Sequence, residues 1–144
     1  ACPALSHLDL SRNELGIAGG SAIAAALPKT SSLKLLDLSY TNLCNCVPIK
    51  LTTTRGEWSG DALAALSVGI PQCEKLAEVF MHNNGLCGMW TENICGEVVP
   101  RGTYTAAAID SLLTMFEGDR VALKRDGLHL ADENSSQEDC EKMQ

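Results

Sequence analysis

A pattern of eleven residues recurs three times in this sequence and constrains the fold more than any other feature. Residues 5–15 read LSHLDLSRNEL, residues 33–43 read LKLLDLSYTNL and residues 76–86 read LAEVFMHNNGL. Apolar residues occupy the first, fourth, sixth and eleventh positions each time. Recurrence at intervals of about 20 to 50 residues is typical of chains whose units stack and bury their apolar faces against each other. The sequence therefore predicts stacked units that begin near Leu5, Leu33 and Leu76.

Each unit is predicted to contain a strand, a turn and a helix. In the first unit, Leu8 and Leu10 alternate at a period of two, which indicates a strand over residues 7–12. Asn13 follows, and its amide can pair with backbone groups that the turn leaves open. A glycine-rich turn over 16–20 and Ser21 as N-cap then lead into a helix over 22–27. Equivalent helices are predicted over 60–68 and 105–116.

The second and third units are longer than the 28 residues that separate Leu5 from Leu33. The excess follows the turn in both, as insertions over 44–58 and 87–102, so both insertions are expected at one edge of the stack. A degenerate fourth unit begins near Val121, and Asp126-Gly127 predicts a capping hairpin. We therefore expect one repeat domain over 1–131 and an acidic polar tail over 132–144.

The unit length, the alanine-rich helix and the phrases NELGIAGG (13–20) and LDLS (36–39) resemble the ribonuclease-inhibitor-like class of leucine-rich-repeat proteins. The resemblance covers about residues 3 to 121, and the two insertions interrupt it. It implies an α/β solenoid with parallel strands on the concave face and helices on the convex face. Members such as ribonuclease inhibitor, the sensor ends of NOD-like receptors and the GTPase activator of Ran mostly bind proteins. Thr41 departs from the class pattern because it replaces the turn asparagine.

Strand residues that alternate away from the core are expected on the concave face, as a partner-binding surface. Asp9 and Asp37 would be neighbours there, which is unfavourable unless a cation compensates the two like charges. Tyr40 and Phe80 resemble interface anchors. The alternative is that aspartate is simply a common polar residue at this position of a strand, and that an inserted loop shields Phe80. The complete predicted surface is Asp9, Arg12, Leu35, Asp37, Tyr40, Glu78, Phe80 and His82.

Trp58 and Trp90, the only two tryptophans, both lie in the insertions. Large amphipathic rings in such loops suit a partner interface. The alternative is that each ring packs back on its own domain and anchors the loop. Both interpretations stay open at the level of sequence.

Seven cysteines are many for 144 residues. Cys44 and Cys87 hold the same position in adjacent units, so they are candidates for a disulfide, and Cys46 with Cys95 forms a second candidate pair. The alternatives are buried thiols, or more weakly a zinc site that also uses His82. A reducing compartment, cytosolic or organellar, is the default expectation, and an oxidising one is compatible with the disulfides.

Composition and motifs narrow the possible functions. A net charge of −7 with no basic stripe argues against a nucleic-acid partner. No uncharged apolar stretch approaches the roughly 20 residues that a bilayer span requires, and no signal peptide is visible. No phosphate-binding loop, nucleophile elbow or metalloprotease motif occurs, so we expect neither a cofactor nor an enzymatic activity.

The functional expectation is a non-enzymatic protein–protein interaction module, as a small accessory subunit of a larger assembly. The alternative is the recognition segment of a longer leucine-rich-repeat receptor or regulator, including a regulator of GTPases. Only residues 1–4 precede the first unit, so the layer of Leu8, Leu10 and Ile23 lacks a cap. We expect a partner subunit or further repeats to cover that edge.

Overall fold

The computed structural model describes residues 4–45, 57–117, 123 and 125–130 of the 144-residue chain. It is a mixed α/β fold, as the sequence predicts. Four short parallel strands form one sheet in the order β1-β2-β3-β6, and two antiparallel strands form a separate hairpin. The strands are β1 His7–Asp9, β2 Leu35–Asp37, β3 Glu78–Phe80, β4 Met89–Ile94, β5 Glu97–Gly102 and β6 Leu128–His129.

Three α-helices follow the first three sheet strands: α1 Gly16–Ala26, α2 Asp61–Gly69 and α3 Ala107–Thr114. Each helix continues into a 3-10 turn, over Leu27–Lys29, Ile70–Gln72 and Met115–Glu117 respectively. A proline stands second in the first two of these turns, where a missing N–H is tolerated. The same succession of strand, helix and 3-10 turn thus occurs three times in the described part of the chain.

Helix α1 begins at Gly16, and the prediction of a turn over 16–20 with a cap at Ser21 is wrong. The Thr41 carbonyl, which belongs to the next unit, accepts hydrogen bonds from the backbone N–H groups of Leu15 and Gly16 at 3.2 and 3.0 Å. These bonds hold the first turn of the helix in place. The glycine-rich segment is therefore helical because of a tertiary contact, against its own weak helix propensity.

Glycines on the helices allow α1 and α2 to approach closely. A Cβ added at Gly20 would lie 2.8 Å from the Leu43 side chain and 2.9 Å from the Ala62 Cβ. A Cβ added at Gly69 would overlap the carbonyl oxygen of Ala24. The small residues of the helices thus serve packing between neighbouring units rather than flexibility.

The core lies between the sheet and the helices, and its burial differs along the sheet. The leucines at the repeated positions of the second unit are fully buried, and so are their apolar counterparts in the third. The counterparts in the first unit are only half-buried. The core is therefore open on the side of β1, which is an edge strand. The compared residues are Leu33, Leu36, Leu38, Leu43, Leu76, Val79, Met81 and Leu86, against Leu5, Leu8, Leu10 and Leu15.

The turn after β3 is held by the buried amide of Asn84. Its nitrogen donates to the carbonyls of Leu38 at 2.8 Å and Met81 at 3.1 Å. Its oxygen accepts the backbone N–H groups of Thr41 at 3.0 Å and Leu43 at 3.1 Å. The amide thus pairs the open backbone groups of two adjacent turns, and this role of the turn asparagine is confirmed.

Thr41 takes the position of the asparagine in the second unit. Its hydroxyl donates to the Leu38 carbonyl at 2.6 Å. In the first unit, the Asn13 amide donates to the Leu10 carbonyl at 3.0 Å, in an exposed setting. The Thr41 hydroxyl thus makes one of the hydrogen bonds that an asparagine amide would make. The neighbouring Asn84 accepts the backbone N–H groups of the same turn.

The second insertion contains the β4–β5 hairpin, which the sequence did not predict. Its two loop residues, Cys95 and Gly96, have φ of 53° and 91°, as a two-residue turn of the I′ kind requires. Residues 46–56 of the first insertion, the predicted unit start at Val121 and the tail over 132–144 lie outside the described residues. The hairpin predicted at Asp126-Gly127 is wrong: both residues lie in a 3-10 helix, and β6 pairs in parallel with β3.

Candidate partner-binding surface

The face of the four-stranded sheet opposite the helices, the outer face, carries the side chains that the sequence assigns to a partner. The register aligns His7, Leu35 and Glu78 across β1, β2 and β3. Leu8, Leu36 and Val79 form the next row and point into the core. The third row on the outer side contains Asp9, Asp37, Phe80 and His129. The predicted neighbourhood of Asp9 and Asp37 is confirmed, and β6 adds His129 to the third row.

Asp9 and Asp37 lie side by side and are stabilised locally. One carboxylate oxygen of Asp9 accepts the backbone N–H of Ser11 at 2.8 Å, and one of Asp37 accepts that of Ser39 at 2.8 Å. Hydrogen bonds from the side chain and the backbone N–H of Ser11 lower the pKa of Asp9 below its ordinary value. Each of the two neighbouring carboxylates thus has a backbone hydrogen-bond donor of its own.

Arg12 and Tyr40 form a cation–π pair where β1 and β2 end. The guanidinium carbon of Arg12 lies 4.4 Å from the centroid of the Tyr40 ring. Both residues and Asn83, their counterpart after β3, have left-handed backbones with φ of 59°, 58° and 54°. Tyr40 is 37% exposed although it is a large aromatic residue. This turn, rather than the strand itself, presents the Arg12 and Tyr40 side chains.

Phe80, His82 and His129 form an aromatic cluster on the outer face. The Phe80 and His129 rings are stacked, with centroids 4.2 Å apart and an interplanar angle of 8°. His82 tilts against Phe80 at 5.9 Å. Phe80 is therefore covered in part by His129 of the fourth strand. His129 was not predicted as a residue of this surface, because Asp126-Gly127 predicted a hairpin in place of a parallel fourth strand.

Trp58 and Trp90, on the two insertions, line the same pocket. The Trp58 indole N–H donates to the Gly85 carbonyl at 3.1 Å, and both rings pack partly against the core. The rings thus anchor the insertions to the domain, as the second interpretation of the sequence has it. Part of each ring also faces the pocket.

The cysteines of the described residues are thiols. Cys44 is buried and Cys87 half-buried, and no disulfide joins them; Cys95 is exposed at the hairpin tip. Cys46 lies outside the described residues, and with it the proposed pairing to Cys95. Among the residues that the structure describes, no three His, Cys, Asp or Glu side chains are grouped so that they could hold a metal ion. Cys44 packs in the core as a small apolar side chain.

Comparisons with models of known protein families, with curated proteins and with solved structures find no match for this chain. None of the described helices is long and apolar enough to cross a membrane. The chemistry of the outer face and of the pocket therefore provides the evidence about function.

Proposed function

We propose that this chain is a non-enzymatic leucine-rich-repeat module that binds a partner protein through the outer face of its sheet. The observation that carries the proposal is the chemistry of that face. Arg12 stacks on an exposed Tyr40, and Phe80 stacks on His129, on a surface where small polar residues would suffice for solubility. Tyrosine and arginine are among the side chains that supply most of the energy at protein interfaces.

The repeated succession of elements supports the ribonuclease-inhibitor-like solenoid as the architecture of this module. Such stacking requires parallel strands that are aligned residue for residue, as β1, β2 and β3 are. It also requires contacts between successive turns, and the Asn84 amide joins two of them. In a solenoid of this class the outer face is the concave face. That shape would surround a partner on several sides and bury the aromatic side chains at the centre of the interface.

The charges of the face indicate the complementary surface on the partner. Asp9, Asp37 and Glu78 place carboxylates on the same face as Phe80, and the whole chain carries a net charge of −7. A partner with an apolar or aromatic contact area and a basic rim fits this arrangement. Electrostatic complementarity of this kind accelerates association and makes it sensitive to salt.

The half-buried first layer supports an accessory subunit within a larger assembly. Leu5, Leu8 and Leu10 would become fully buried against a neighbouring subunit on the side of β1. The same observation favours the second candidate, a recognition segment of a longer leucine-rich-repeat receptor or regulator, because a preceding repeat would cover the same leucines. The intact mass of the native protein distinguishes the two candidates.

A photo-crosslinking amino acid at Tyr40 tests the role of the outer face. The control places the same group at Val68, which is 64% exposed on α2. We expect the Tyr40 probe to crosslink one constant partner in native material and the Val68 probe to leave it unlabelled. Equal labelling from both positions, or a protein that stays uncrosslinked and monomeric, would contradict the proposal.

A further inference from the structure

A pocket of about 450 Å³ lies between the end of the first insertion and the β4–β5 hairpin. Both tryptophans of the chain and one of its two tyrosines contribute to it. Among the described residues that line it, the exposed Glu57 is charged and none is cationic. The residues that line the pocket are Glu57, Trp58, Gly88, Trp90, Gly102, Thr103, Tyr104 and Thr105.

Each of the two indole rings has a contact that restrains it. Trp58 is held through its N–H by the Gly85 carbonyl at 3.1 Å. The Trp90 ring lies directly against Gly102, where an added Cβ would be 2.5 Å from a ring carbon. Gly102 has φ of 88°, which favours glycine and so preserves this contact. The aromatic walls are therefore preorganised, and binding need not order them.

We propose that this pocket binds an organic cation that carries a methylated ammonium group. Aromatic faces attract a cation through their quadrupole, and several rings around one site are the recognised way of binding quaternary ammonium groups. Such a group is weakly hydrated and matches an apolar wall better than a bare ammonium does. The Glu57 carboxylate and the overall negative charge add long-range attraction.

The same chemistry has two sources, a free quaternary ammonium compound and a trimethylated lysine side chain in a partner protein. The pocket lies outside the four-stranded sheet, so this inference does not depend on the role of the outer face. Failure of either proposal can therefore be recognised separately.

Intrinsic fluorescence provides a direct test, because the only two tryptophans of the chain both line the pocket. The full chain is titrated with choline, with a trimethyllysine peptide, and with 3,3-dimethyl-1-butanol, the uncharged carbon analogue of choline. We expect a saturable change with a cation and at least roughly tenfold weaker binding of the neutral analogue, since the cation–π attraction is lost. Tighter binding of the peptide than of choline indicates a protein partner, and equal binding indicates a free compound.

Two variants at exposed positions test the residues without threatening the fold. Glu57→Gln should weaken cation binding about threefold, the usual size of an exposed charge interaction. Tyr104→Ala removes a ring that is 59% exposed and should weaken it about fivefold. Val98→Ala, 67% exposed on the hairpin, is the matched control and should have no effect. The proposal is overturned if the neutral analogue binds as tightly as choline, if no cation binds, or if both variants bind like the wild type.

Discussion

The Arg12 guanidinium stacks on the Tyr40 ring from the equivalent position of the adjacent unit, 4.4 Å from its centroid. Both residues have a left-handed backbone, which costs a residue other than glycine about 1 kcal/mol or more. The neighbouring strands impose this conformation, because the Arg12 N–H donates to the Ser39 carbonyl at 2.9 Å and the Tyr40 N–H to the His82 carbonyl at 2.8 Å. The two large side chains are thus presented by the turns that follow β1 and β2.

A double-mutant cycle of Arg12→Gln and Tyr40→Leu measures the energy of this pair. We expect the two residues to be coupled by about 0.5 kcal/mol in the free energy of unfolding, the usual size of an exposed cation–π contact. Urea denaturation of the two single variants, the double variant and the wild type gives this coupling. Additive effects of the two substitutions would mean that the contact contributes nothing to stability.

Asn84→Ala should be far more destabilising than Asn13→Ala. The Asn84 amide is fully buried and pairs backbone groups of two turns, which alanine would leave without partners. We expect a loss of about 3 kcal/mol, against about 1 kcal/mol or less for the exposed Asn13. Urea midpoints at unchanged m-values test this. Similar losses for both variants would show that the buried hydrogen bonds between the turns contribute no more to the free energy of unfolding than exposed ones.

Gly69→Ala should lower the free energy of unfolding by about 2 kcal/mol, because overpacking in a close contact is destabilising. The added methyl group would meet the backbone of Ala24, which cannot rotate away. Val68→Ala, at an exposed neighbouring position of α2, is the control and should change stability by about 0.5 kcal/mol or less. A Gly69→Ala variant as stable as this control would rule out close helix packing at that point.

Ser11→Ala should raise the pKa of Asp9 toward its ordinary value of 3.8, measured by NMR titration. The Ser11 side chain is the largest cause of the lowered pKa, and the backbone N–H remains in the variant, so the rise should be partial. Since the folded-state pKa is depressed, the stabilisation is present above the ordinary pKa. It is lost as the pH falls through the folded-state value.

Asp9→Asn provides the control for this linkage. Its stability should fall less steeply over the same acid range than that of the wild type. An unchanged Asp9 titration in Ser11→Ala would show that the hydroxyl does not stabilise the carboxylate.

Local pattern was enough to predict where the strands begin and which of their residues face the core, although the strand predicted over 7–12 ends at Asp9. Leu8, Leu36 and Val79 alternate with polar neighbours, and a strand has a period of two, so the buried row and the exposed row both follow from the sequence. The role of the turn asparagines was also predictable, because a polar amide directly after a strand has nearby backbone groups to pair with. Helix α2 was placed within a residue of its observed bounds.

Contacts between residues far apart in the chain decided the rest. Gly16 begins a helix because Thr41 accepts its N–H, and His129 joins the outer face because β6 pairs with β3. The pocket forms because the two insertions bring Trp58 and Trp90 to one site. The repeating apolar pattern thus determined the sheet and its two faces, since periodicity is a local property of the chain. Only the tertiary structure could bring distant loops together, since the energy of such contacts depends on three-dimensional packing.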